Sequence, residues 1–143
     1  MAMEQFVEFI TNHIILSGAF VAILTLLLID LFGASLKGYP SATPVEATQL
    51  INREDAIVLD IRENKEFQGG HIVNAIHIPL GNLKERHAEL EKYKSRPIIA
   101  ACRSGSRSGQ ACSQLKKAGF ENIYNLKGGM MAWQHASLPI DKS

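Results

Sequence analysis

The fold class this sequence predicts is α/β: a small, mostly parallel central sheet flanked by helices and preceded by one transmembrane helix. Two observations carry it. An uncharged apolar run opens the chain, and beyond Pro44 apolar runs of strand length alternate with segments of helical period. The 143 residues, 46% of them hydrophobic, allow one folded domain beside that run. Fifteen basic and 14 acidic residues leave a formal net charge of +1, so no global field recruits nucleic acid or acidic partners. Two cysteines, Cys102 and Cys112, are too few for a disulfide scaffold. No Cys/His cluster has zinc spacing, so no metal is expected.

Residues 1–13 form an N-terminal extramembrane segment, and 14–32 the expected span. Ile14 to Ile29 carries no charge, and Asp30 lies within a turn of the far end, where water and headgroups are in reach. A cleavable signal peptide is the competing reading: Gly33-Ala34-Ser35 suits cleavage, but Glu4, Glu8 and His13 precede the run without any Lys or Arg. A buried core helix would need a larger protein around it, and an interfacial helix would show a polar face. Lys37 and Arg53 follow the span and no basic residue precedes it, which predicts a single pass with the C-terminal domain in the cytoplasm. Gly18 and Ala22 make a small-xxx-small pair through which a second copy or another membrane protein can pack. Residues 33–43, with Gly38 and Pro40, read as a linker to a domain over 44–143.

Within that domain Pro44 opens a short helix through Ile51, with Thr43 as N-cap and Glu46 in its first turn. Ala56 to Asp60 is a strand of the buried type. A helical turn follows at Glu63 to Phe67, then a short strand around Ala75 to Ile78, ended by Pro79. Asn82 to Leu90 has Leu83 and Leu90 among charges and reads as an exposed helix. Ile98 to Ala101 is the next strand. Ser106 to Ala118 places Ala111, Cys112, Leu115 and Ala118 on one stripe, the face a helix turns to a sheet, and Gly119 stops it. Ile123 to Asn125 is a last small strand, and Gly129 to His135 a last short helix with Trp133 in the core.

The residues with chemistry concentrate in Cys102-Arg103-Ser104-Gly105-Ser106-Arg107-Ser108, between a predicted strand and a predicted helix. In an open α/β sheet that junction is the carboxyl end of a strand, where ligands bind. A cysteine there faces backbone amides and the positive end of a helix dipole, and Arg103 and Arg107 add full charges. All of these favour thiolate over thiol and predict a nucleophile at neutral pH. Gly105 allows the tight turn that converges successive N–H groups on one anion. An isolated cysteine would read as a small buried hydrophobe, but this composition in seven positions points to a site.

The loop CRSGSRS resembles the active-site loop of the rhodanese family. Other segments resemble that family in order: Asp60-Ile61-Arg62-Glu63 with Glu66-Phe67, Gly70-His71-Ile72, Ala75 to Pro79, and Gly128-Gly129 with Ala132-Trp133. The resemblance covers Pro44 to about Ile140; with the apolar run it suggests a membrane-anchored rhodanese-like protein of the bacterial inner membrane. It implies a rhodanese-like fold and a double displacement. The Cys102 thiolate takes the outer sulfur of a small anionic donor such as thiosulfate, then passes it from a persulfide to a thiol or protein acceptor. The resemblance assigns the cradle to the amides of Arg103, Ser104, Gly105, Ser106 and Arg107, and attraction of the donor to the two guanidinium groups. It implies no cofactor.

Asn74 stands where the family usually has glycine, and asparagine tolerates the left-handed backbone. Asp60 and Arg62 are expected to organise the loops beside the site; His71 and His77 are expected as hydrogen-bonded scaffold, and Cys112 as a buried packing residue. Two rival functions stand beside sulfur transfer. A cysteine phosphatase of a related kind has five residues between Cys and Arg, whereas only Arg103, Ser104, Gly105 and Ser106 lie between Cys102 and Arg107, a ring better suited to sulfur than to phosphate. The other is a tethered binding module, which would have no need of Cys102.

Overall fold

The computed structural model describes residues 1–142, the side chains of Ala34 and Ser35 excepted. The chain divides into two compact units, Met1–Leu36 and Lys37–Ser143.

The first unit holds α1 (Ala2–Asn12) and, but for its last residue, α2 (Ile14–Lys37). The segment expected only as extramembrane chain is thus helical, with Met3, Phe6, Val7 and Ile10 at helical spacing on α1. Residues Ile14–Gly33 of α2 have a mean hydropathy of 2.6 over 20 residues. At 1.5 Å per residue that is roughly 30 Å, the thickness of a bilayer's hydrocarbon core. Length and composition suit a membrane span and a signal sequence equally. The Gly33-Ala34-Ser35 run reaches side chains outside the described ones.

The expected linker over 33–43 is largely structured. Helical backbone, once propagating, continues through Lys37 and ends where Gly38 takes φ +74°, a left-handed stop that glycine accepts readily. Tyr39 is buried, and Ser41–Ala42 forms strand β1.

The second unit continues with α3 (Pro44–Glu54), β2 (Ile57–Asp60), α4 (Asn64–Gln68), β3 (His71–Ile72), β4 (Ile76–His77) and α5 (Leu80–Arg86). A 3₁₀ helix (His87–Tyr93) precedes β5 (Ile98–Ala101), α6 (Ser106–Lys117), β6 (Ile123–Leu126), α7 (Gly129–His135) and β7 (Ile140–Asp141). The single helix expected over Asn82 to Leu90 is therefore an α-helix followed by a 3₁₀ segment, with Leu83 and Leu90 fully buried as its two anchors. Helix α3 begins with the expected cap: Thr43 Oγ1 accepts from the Glu46 N–H, and the Glu46 carboxylate accepts from the Thr43 N–H.

The main sheet runs β1-β6-β5-β2-β4 with every pairing parallel, and β3 and β7 form a separate antiparallel pair. Strand residues alternate between two cores, as period-two geometry requires. Ile57 and Leu59 of β2 with Ile98 and Ala100 of β5 pack beside Ala111, Cys112 and Leu115 of α6 and Leu83 of α5. Val58, Ile99 and Ala101 join Ala47 of α3 and Met130 and Trp133 of α7 in the other core. Cys102 extends the first set, so it sits beneath the start of α6 at the carboxyl end of the central strand. Asn74 has φ +62°, the left-handed turn anticipated for it.

Candidate active site

Cys102 leaves β5 almost wholly buried, at 1% exposure. The next residues turn through Gly105, at φ +100°, which is the N-cap of α6. A side chain at Gly105 would adopt a strained backbone and press its Cβ to 3.3 Å from the Leu126 carbonyl oxygen. That turn brings the Gly105 N–H to the Cys102 sulfur at 3.0 Å. The Ser108 hydroxyl, one turn into α6, reaches Sγ at 3.3 Å. Burial pushes the thiol pKa up, but the Ser108 hydroxyl and the backbone N–H groups of Ser108, Gly105 and Ser104 outweigh it and hold the pKa below the ordinary cysteine value. The sulfur is thus placed and electrostatically prepared to act as a nucleophile.

The arginines are disposed differently from the expectation that both lend charge directly to the thiolate. Arg107 makes a bidentate pair with Glu66 of α4 at 2.7 and 2.9 Å. Arg107 in turn holds the Glu66 carboxyl at about 2, far below the carboxylate range. Arg107 reaches Cys102 through charge without a hydrogen bond, and Arg103 is exposed. The sulfur is met by neutral donors at contact distance, whereas the Arg107 cation is already shared with a carboxylate. Arg103 instead lines a cavity of about 290 Å³ with Arg62, Glu66, Met130, Met131 and Gln134.

Asp60 and Arg62 stand behind that cavity as a buried ion pair, 1% and 7% exposed, with Arg62 Nη2 at 2.7 Å from Asp60 Oδ2. The same Nη2 donates to the Gly70 carbonyl at 2.7 Å, so the pair ties the end of β2 to the start of β3. His77 Nε2 bonds the Arg62 carbonyl oxygen and His71 Nδ1 that of Phe67, at 2.8 and 2.9 Å. Both imidazoles stack on the Phe67 ring. These histidines are scaffold for the loop that carries Glu66. Cys112 is fully buried, and burial pushes its thiol up to about 12, which leaves it inert.

Four contributors lay outside the sequence reading of the site. Ser108 belongs to the loop, but its role required knowing which way the first turn of α6 faces. Glu66 and Asn125 are 41 and 17 residues from their partners Arg107 and Ser108. The fourth is the Gly128-Gly129 turn, which starts α7 so that the N–H groups of Met130 and Met131 bond the carbonyls of Cys102 and Arg103 at 2.8 and 3.1 Å. Its signal was present in sequence as paired glycines. Among the described residues no group of three or more His, Cys, Asp or Glu could hold a metal ion.

The site is thus a buried cysteine at the mouth of a strand-to-helix loop, its sulfur approached by an amide and a hydroxyl, on a parallel sheet with a core on each face. The chain belongs to the rhodanese-like domain family, which matches residues 43–136. It is similar to the uncharacterized protein YibN of Escherichia coli, 36% identical over 139 residues, 96% of this chain and 97% of that one. It is 36% identical over 91 residues to the thiosulfate sulfurtransferase GlpE of Pseudoalteromonas translucida, covering 64% of this chain and 85% of the relative. Among solved structures, a rhodanese-related protein from Thermoplasma volcanium superposes with a TM-score of 0.67 at 30% identity, covering 73% of this chain and all of the other.

Proposed function

We propose that this protein is a sulfurtransferase that carries sulfane sulfur as a persulfide on Cys102. The observation that carries the reading is the Cys102 sulfur itself, buried, with a backbone N–H at 3.0 Å and a hydroxyl at 3.3 Å. Sulfurtransferase-named relatives in the same family support it. With thiosulfate as donor, the Cys102 thiolate attacks the outer sulfur. An S–S bond forms to Sγ, the bond to the sulfonate sulfur breaks, and its electron pair leaves with sulfite. Cys102 then holds a terminal sulfur bearing the negative charge, until an acceptor thiolate attacks that sulfur and the Cys102 thiolate is regenerated. The amides from Arg103 to Arg107 cradle the charged sulfur, Arg103 draws the anionic donor into the mouth, and the Asp60–Arg62 pair keeps the adjoining loops in place.

Helix α2 in this reading tethers the domain to a bacterial inner membrane, with the domain on the cytoplasmic side, where Lys37 and Arg53 lie. The alignment with YibN spans the N-terminal helices as well as the domain, in support of a shared arrangement. Intact-protein mass before and after thiosulfate tests both parts. The unreacted mass should equal the full chain, and treatment should add about 32 Da, one sulfur, reversibly with reductant. No addition to the wild type, or an equal addition to Cys102→Ser, would end the sulfur-carrier reading; a mass short of the N-terminal helices would end the tether.

A further inference from the structure

We propose that Asn125 is a positioning residue that competes with Cys102 for the hydrogen bond donated by the Ser108 hydroxyl, which turns from one to the other, its O–H bond intact, as charge moves on and off the sulfur. Ser108 is fully buried and has a single hydroxyl hydrogen, yet its Oγ stands at hydrogen-bonding distance from two acceptors. Asn125 Oδ1 lies 2.5 Å away and Cys102 Sγ 3.3 Å away. The amide of Asn125 cannot reverse to relieve the competition. Its Nδ2 donates to the Gly105 carbonyl at 2.9 Å, and a reversed amide would set two carbonyl oxygens against each other. Asn125 is fixed in turn by β6, where its backbone N–H bonds the Pro40 carbonyl.

One proton between two acceptors makes the site bistable. When Sγ is a thiolate, it draws the Ser108 hydrogen, and the Ser108 and Asn125 oxygens are left facing each other unbridged. When sulfur has been taken up, the charge resides on the outer atom, and Sγ becomes a neutral, weakly accepting disulfide-type sulfur. The hydroxyl then turns back to Asn125. Asn125 thereby withholds part of the stabilisation from the free thiolate and releases it in the loaded state, favouring loading. This consequence rests on the persulfide reading above; the turning of the hydroxyl does not. The charged and titratable groups around Sγ are Arg107 with its partner Glu66, Arg103 in the loop, and the Cys112 thiol behind it on α6. None of them bonds Ser108.

The test is the apparent pKa of Cys102 in the full chain, read from the pH dependence of its alkylation by iodoacetamide with the modified peptide identified by mass. Asn125→Ala should lower that pKa by roughly half a unit to one unit, the worth of freeing one hydrogen bond. Ser108→Ala should raise it. In the Ser108→Ala background the same lowering should be absent: loosening of Gly105, whose amide donates to the sulfur, is common to both backgrounds, so the difference between the two Asn125→Ala shifts isolates the hydroxyl and should itself be roughly half a unit to one unit. Asn125→Leu, close in volume, serves if the alanine variant does not fold. An equal shift in both backgrounds, or a rise on Asn125→Ala, would overturn the proposal. Failure of the wild type to gain sulfur from thiosulfate would count against the persulfide reading and leave this ranking of pKa values intact.

Discussion

Gly129→Ala is the substitution for which the structure sets the sharpest expectation. Gly129 has φ +58°, and a Cβ built there would lie 2.6 Å from both the carbonyl carbon and the oxygen of Arg103. Holding a non-glycine residue in the left-handed region costs about 1–2 kcal/mol. The overlap adds about 1–3 kcal/mol, because the atoms met are backbone and no side chain can swing aside. Together these give a loss of about 2–5 kcal/mol. Relief can come only by parting Gly129 from the active-site loop, and that breaks the bonds from the Met130 and Met131 N–H groups to the Cys102 and Arg103 carbonyls. The same change should therefore slow Cys102 alkylation at neutral pH as it lowers the urea midpoint. Gly81→Ala is the control: it lies in α5, and nothing approaches its Cβ within 4 Å. That variant should be neutral or slightly stabilising. If Gly129→Ala unfolds within about 0.5 kcal/mol of Gly81→Ala, the claim that these glycines shape the cysteine loop is wrong.

Asp60→Ala should cost about 3–5 kcal/mol in urea unfolding, since it strands a guanidinium that is 7% exposed, and Asp60→Ala with Arg62→Met should recover much of it. A loss below about 1 kcal/mol would mean that Arg62 finds water or another partner. The Glu66–Arg107 bridge should show in acid. The Glu66 carboxyl sits at about 2 in the fold against an ordinary 4.5, so its contribution is complete above pH 4.5 and is lost as the pH falls towards 2. With 36% and 31% of the two side chains exposed, screening limits it to about 1 kcal/mol. The stability gap between wild type and Glu66→Gln should close over that window, and a gap independent of pH would refute the assignment.

What the sequence disclosed and what it withheld divide along the range of the interactions. The Ser106 to Ala118 stripe, the Thr43–Glu46 cap and the turn at Asn74 are local: each is decided by residues within a turn or two, and each is found in the fold. Strands β1, β3 and β7 are two residues each, too short to display a period, and exist because a distant strand pairs with them. The cysteine loop shows both sides at once. Its position and its glycine turn follow from the strand-to-helix junction, but the weight given to Arg107 assumed a cation with no competitor. Glu66 supplies one from α4, and no rule of spacing links positions 41 residues apart. Once that carboxylate is in place, stabilisation of the sulfur falls to Ser108 and the backbone amides. A hydroxyl donor can be turned away by another acceptor and an amide cannot, so adjustment of the nucleophile resides in the Ser108 rotor.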